Sequence, residues 1–173
     1  MAEDGLTFLA NAERKAHAFA DAARLPALAD DSGLVVDALG GEPGVLSARF
    51  GGGELTAAER NQVLLRSLEG VGERRARYIC VLCLGEPGGA PGKVFVGQCE
   101  GRIGREPRGG GGFGYDPIFV LPDGRSMAEL PDGEKDQISH RGRAVREMLA
   151  AVDMAGWASA VARGLPPVTS QAT

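Results

Sequence analysis

The sequence has little of what would mark many functional classes. Three cysteines occur in 173 residues, Cys80, Cys83 and Cys99, an odd number in strand-like segments that argues against a disulfide framework and for a reducing compartment. Cys80 and Cys83 spell CxxC inside the apolar run YICVLCL. At that odd spacing a strand sends the two side chains to opposite faces, so core burial is expected rather than zinc or redox pairing. With only His17 and His140 available, a histidine-rich metal site is excluded. The glycine cluster Gly109 to Gly112 is not followed by the lysine and serine or threonine of a Walker loop, and no GxSxG elbow is present. A net charge of -4 gives no broad attraction to nucleic acid or to an anionic membrane. Any phosphate bound must therefore be gripped by a few local cations, which points to a small anionic partner. The opening MAEDGLTF has no basic region or apolar stretch, and no segment reaches bilayer-spanning length. The expected location is the cytoplasm.

What is present suits one α/β domain. At 173 residues and 43% hydrophobic, the chain is long enough for one good core. Phe8, Ala12, Ala16, Phe19 and Ala23 recur at spacings of three and four, the stripe of an amphipathic helix from Thr7 to Ala23. The strand-like ALA then runs into Asp30 and Asp31, is expected to turn at Ser32 and Gly33, and resumes as LVVDAL. Thr56 with Glu59 three residues on signals a second helix carrying Val63, Leu64, Leu65 and Leu68, stopped at Gly70. RYICVLCL and KVFVGQCEGRI read as a hairpin, and FGYDPIFVL as a further short strand. Ser139 is placed to cap a last helix whose apolar face holds Val145, Met148, Leu149 and Val152. The expectation is a mixed, elongated sheet flanked by helices, with a cleft between two lobes, over residues 1–165, and a disordered tail over 166–173.

Four features carry chemistry. Adjacent carboxylates on a strand project to opposite sides, so only one of Asp30 and Asp31 faces a given cleft. A carboxylate there suits Mg²⁺ and can orient or deprotonate water, although DDSG also fits a plain polar turn. Lys15 falls on the apolar side of the first helix, either snorkelling to water or aimed at a phosphate. His140 and Arg141 lie at a helix start, where a cation opposes the helix dipole. An arginine offers only donors, so beside a base it favours a 6-oxo purine over the 6-amino group of adenine, unless it is simply a solvated surface residue. Phe113, Gly114, Tyr115 and Asp116 place two aromatics and a carboxylate beside flexible glycines, suited to base stacking or to core packing.

In this order, GLTFLANAERKA, LPALADDSGLVVDALGGEPGVLSARF, GGFGYDPIF and EKDQISHRGRA strongly resemble the inosine triphosphate pyrophosphatase family, the dITP/XTP pyrophosphatases, over residues 4 to about 150. The resemblance implies Mg²⁺-dependent hydrolysis of non-standard purine nucleoside triphosphates (dITP, ITP, XTP) to the monophosphate and pyrophosphate, by a homodimer, as part of nucleotide metabolism. On matching positions it implies Asp31 as general base and metal ligand and Ser32 as a substrate contact. It likewise sets Lys15 and Lys135 toward the phosphates, and Phe113, Gly114, Tyr115, Asp116, His140 and Arg141 around the base. Two departures are visible. Family members open on a strand and a Ser/Thr-Gly-Asn-x-x-Lys loop, whereas this sequence starts downstream of them, so an unpaired sheet edge is expected. Ala10, in TFLANA, stands where the family usually has glutamate in TFxENA. These departures motivate a second reading, a purine nucleotide-binding remnant without turnover.

Overall fold

A computed structural model describes residues 5–152. The expected tail at 166–173, and the domain boundary before it, lie outside the described residues. Helix α1 (Phe8–Ala23) begins where the Thr7 hydroxyl accepts the Ala10 amide and ends at Arg24 in the left-handed region, φ 55°. Its buried stripe is Ala12, Ala16 and Ala20, all fully buried. Methyl groups four residues apart let the helix lie close against the sheet, where Ala12 and Ala16 pack on Val81 and Cys83. Phe19, expected on this face, is 56% exposed, and Ala23 is exposed as well. The face used is the one whose side chains are small enough for close approach.

Four strands pair in the order β1 (Ala27–Val36), β2 (Arg75–Gly85), β3 (Lys93–Ile103) and β4 (Phe119–Val120). The α/β class expected from the sequence is seen. Within it, each pairing among the described strands is antiparallel, where a mixed sheet was expected. β1 runs without a break through Asp30, Asp31, Ser32 and Gly33, which pair with Leu82, Val81, Cys80 and Ile79. The expected turn at DDSG is therefore strand. Ladder hydrogen bonds to β2 override the turn preference of these residues, and Gly33 fits because a Cβ there would overlap the Gly44 carbonyl. Among the described residues β1 has no partner strand on its other side.

Helix α2 (Ala57–Ser67) carries the expected capping box of Thr56 and Glu59. Short α3 (Asp132–Ile138) leads into α4 (His140–Ala151), whose Ser139 cap accepts the Gly142 amide at 3.1 Å. Helices α1 and α4 cover opposite faces of the sheet, as the two neighbouring cysteines show. Cys80 packs with Leu82, Phe95 and Ala144 under α4, and Cys83 packs under α1. Met148 is buried on α4, whereas Leu149, expected beside it, is 49% exposed. The largest apolar cluster, including Leu34, Leu64, Tyr78, Phe119 and Met127, lies beside these layers. No helix among the described residues is long and apolar enough to cross a membrane.

Gly97 sets the seat of α4, since a Cβ there would overlap the His140 carbonyl and the Ala144 amide. Gly97→Ala is expected to lift the start of α4 from β3 and cost about 1–3 kcal/mol, as overpacking does. Urea denaturation would show it as a lower midpoint. An unchanged midpoint would mean the helix is not held by this contact.

Candidate active site

Strand alternation divides the acidic segment. Asp31 points toward α1, where its Oδ2 accepts from Asn11 Nδ2 at 3.1 Å and its Oδ1 from Lys15 Nζ at 3.2 Å. The residue is 7% exposed, and a carboxylate so buried requires such partners. Lys15, read as an oddity on an apolar helix face, is thus the counter-charge of Asp31. Asp30 points toward α4. Its Oδ2 accepts from the Ser32 hydroxyl at 2.8 Å and from Arg141 Nη2 at 2.9 Å and Nε at 3.3 Å. Burial pushes its pKa up, but the Ser32 and Arg141 hydrogen bonds and the charges of Arg141 and Lys15 outweigh this and hold the carboxyl below its ordinary range.

On the α4 side lies a cavity of about 1150 Å³ whose lining includes Ser32, Tyr78, Phe113, Lys135, His140 and Arg141. Asp31 is not among its lining residues. The segment from Gly112 to Asp116 is organised by a buried carboxylate. Asp116, 3% exposed, accepts from Tyr78 Oη at 3.1 Å, from the Phe113 amide at 2.8 Å and from Lys135 Nζ at 2.6 Å. Gly112, at φ 72°, has no room for a Cβ, which would overlap Asp116 Oδ2. Of the two expected aromatics, Phe113 is 66% exposed, with the Lys135 ammonium 4.7 Å from its ring centre. Tyr115 is turned inward at 5% exposure and its hydroxyl donates to the Ser47 carbonyl at 2.8 Å. Lys135, expected near the phosphates, has its partners in the segment expected to hold the base.

His140 stacks on Tyr78 with ring centres 4.7 Å apart and 12° between planes. Burial, and then the charge of Arg141, pull its pKa down to about 4, so it is neutral at pH 7. Burial, reinforced by the Asp116 charge, pushes the Tyr78 phenol up. Both rings are therefore uncharged walls. Asn61 and Tyr78 line the cavity but were not singled out in the sequence. Asn61, 4% exposed, donates to the Gly114 carbonyl at 3.1 Å and braces the loop from α2. Its signal was a polar residue three positions before Leu64, on the apolar stripe. Tyr78 sits in an ordinary strand pattern and gave none. Among the described residues, no group of three or more His, Cys, Asp and Glu side chains is arranged to hold a metal ion. Asp31, with the Asn11 amide beside it, is the β1 carboxylate that faces α1.

Because the unfolded chain binds a proton at an ordinary histidine value of 6.5 and the folded one only near 4, stability from the neutral ring is complete above pH 6.5 and is lost as pH falls toward 4. The loss is at most about 3 kcal/mol. An NMR titration of the ring protons, assigned with His17→Gln, is expected to place the His140 midpoint near pH 4. A midpoint at about 6 or above would contradict a buried, neutral ring.

The Ham1 family model matches residues 1–151. The chain is 54% identical over 153 residues to the dITP/XTP pyrophosphatase of Thermus thermophilus, covering 86% of this chain and 72% of that protein. To the dITP/XTP pyrophosphatase of Syntrophobacter fumaroxidans it is 50% identical over 152 residues, covering 87% of this chain and 65% of that protein, just under two thirds of its length. A HAM1 protein structure from Coxiella burnetii superposes with a TM-score of 0.84 at 46% identity, covering 87% of this chain and 79% of that one. The Staphylococcus aureus Ham1 protein gives 0.82 at 42% identity, covering 87% and 78%. The family match extends over the elements that hold Asp31, the cavity and Arg141, and on that ground the chain belongs to the Ham1 family.

Proposed function

We propose that this chain hydrolyses non-standard purine nucleoside triphosphates (dITP, ITP and XTP) to the monophosphate and pyrophosphate, as the names of its dITP/XTP pyrophosphatase relatives indicate for them. The observation that carries the reading is one strand serving two compartments: β1 presents Ser32 to the cavity that Arg141 and Lys135 also line, and Asp31 to the Lys15 side. In this reading the base enters the cavity, stacking on exposed Phe113. Arg141 and Lys135 supply donors and no acceptors, which suits a 6-oxo group and leaves the 6-amino group of adenine unmatched. The triphosphate passes Ser32 toward Lys15 and Asp31.

There Asp31 orients a water and takes its proton as the water oxygen bonds to the α-phosphorus. The bond from that phosphorus to the bridging oxygen breaks, and pyrophosphate leaves with the electron pair. Lys15 offsets charge that develops on the phosphate oxygens. Mg²⁺ would be held by Asp31 and the substrate phosphates and would neutralise charge there. One carboxylate beside a neutral amide suits an ion that keeps most of its waters. The same reading includes a homodimer working in the cytoplasm.

Incubation with dITP, XTP and dATP in the presence of Mg²⁺ is expected to release pyrophosphate from the first two. Asp31→Asn should lower kcat by about a hundredfold or more, as loss of a proton acceptor does. Equal turnover of dATP, or activity that survives the substitution, would overturn the proposal. Binding of ITP with no pyrophosphate released would assign the remnant reading instead.

A further inference from the structure

Two groups that line the cavity, Ser32 and Arg141, share a single partner that does not line it. Asp30 Oδ2 receives the Ser32 hydroxyl at 2.8 Å and both Nη2 and Nε of Arg141 at 2.9 and 3.3 Å. The two are also close to each other, with Arg141 Nη2 3.5 Å from Ser32 Oγ. Asp30 is mounted on a strand paired along its whole length with β2, whereas Arg141 lies in the first turn of α4, 45% exposed at its side chain. A long side chain that exposed is mobile unless held, and holding it costs rotamer entropy. The carboxylate takes the Nε and Nη2 edge of the guanidinium, and neither bond uses Nη1. That nitrogen, with its two hydrogens, is the edge available to an acceptor in the cavity.

We propose that Asp30 is a positioning residue for base selection: it fixes the guanidinium of Arg141, together with the Ser32 hydroxyl, so that Nη1 is pre-aimed at the 6-oxo oxygen of the purine. This rests on the functional reading above and adds a residue to it. Asp30 touches neither the base nor the reacting phosphorus. It raises discrimination because a donor held in place gains a full hydrogen bond from a 6-oxo purine and repels the amino donor of adenine. An unheld arginine would turn aside from adenine without penalty.

The test measures turnover and equilibrium binding of dITP and dATP for the wild type, Asp30→Asn, Asp30→Glu, Arg141→Gln and the double variant Asp30→Asn with Arg141→Gln. Asp30→Asn is expected to reduce the preference for dITP over dATP by about tenfold, chiefly through a higher KM and Kd for dITP. Asp30→Glu, which keeps the charge on a longer arm, should recover part of it. Arg141→Gln should show the same loss, and the double variant no further loss, since the two residues act as one unit. Unchanged preference in Asp30→Asn, or additive losses in the double variant, would overturn the proposal. Should Asp30→Asn lose its folded circular dichroism, Arg141→Lys decides. It keeps the charge but has no second edge, so retained preference overturns the proposal and lost preference supports it. A wild type that binds dITP selectively without turning it over would defeat the functional reading alone, because the preference and its dependence on Asp30 remain measurable by binding.

Discussion

Neighbouring residues on an extended backbone face opposite ways, and much of this site follows from that constraint acting on Asp30 and Asp31. Each carboxylate leaves β1 toward a different layer of the fold and must find cationic or amide partners there. On one side α1 supplies Lys15 and Asn11 to Asp31. On the other, α4 supplies Arg141 to Asp30. Both helices must come close to the sheet to do so. The fully buried alanines of α1 permit that on one face, and Gly97 beneath the start of α4 permits it on the other. Small residues distant in sequence from the aspartates are in this sense part of the site.

A second buried charge organises the cavity wall. Asp116 lies in the largest apolar cluster region and is stabilised there by a phenol, a backbone amide and an ammonium. A buried pair of this kind adds little net stability compared with apolar packing, and breaking it is costly. Its effect is therefore mainly on shape. It ties together β2 through Tyr78, the Gly112 to Asp116 segment, and α3 through Lys135. The Phe113 ring is left exposed beside Lys135, while Tyr115 closes the knot from the core side.

The parts of this arrangement that were legible in the sequence are those decided locally or by periodicity. Thr56 with Glu59 and the Ser139 cap satisfy helix amides within a few residues. The hairpin and the opposed cysteines follow from a period of two. The opposed aspartates and a lysine on the apolar side of α1 were likewise visible, but not that Lys15 would pair with Asp31. What was hidden depends on partners distant in the chain. DDSG has the composition of a turn, and only pairing with β2 makes it strand. Phe19 satisfies helical spacing but is too large for the contact that Ala20 makes instead. Tyr115 and Lys135 find their roles with Ser47 and Asp116, and no local pattern connects them.

The separation of the two compartments bears on how chemistry and selection would be coupled. If the cavity and Asp31 opened to the same face, any anion reaching Lys15 would also meet the attacking group, whatever base it carried. In the proposed reading, with β1 between them, a ligand holds the base pocket and reaches past Ser32 toward Asp31. An ordinary phosphate gains only the second half of that interaction. Binding energy from the base is then available to place the phosphate chain, which is how remote contacts lower a barrier rather than merely tighten binding. Ser32 is the joint in this scheme, because it borders the cavity on the same strand that carries Asp31. Its hydroxyl is already committed to Asp30, so the residue that steadies Arg141 at the base also sets the group at the crossing. One carboxylate would thereby align the guanidinium at the base and the hydroxyl at the crossing.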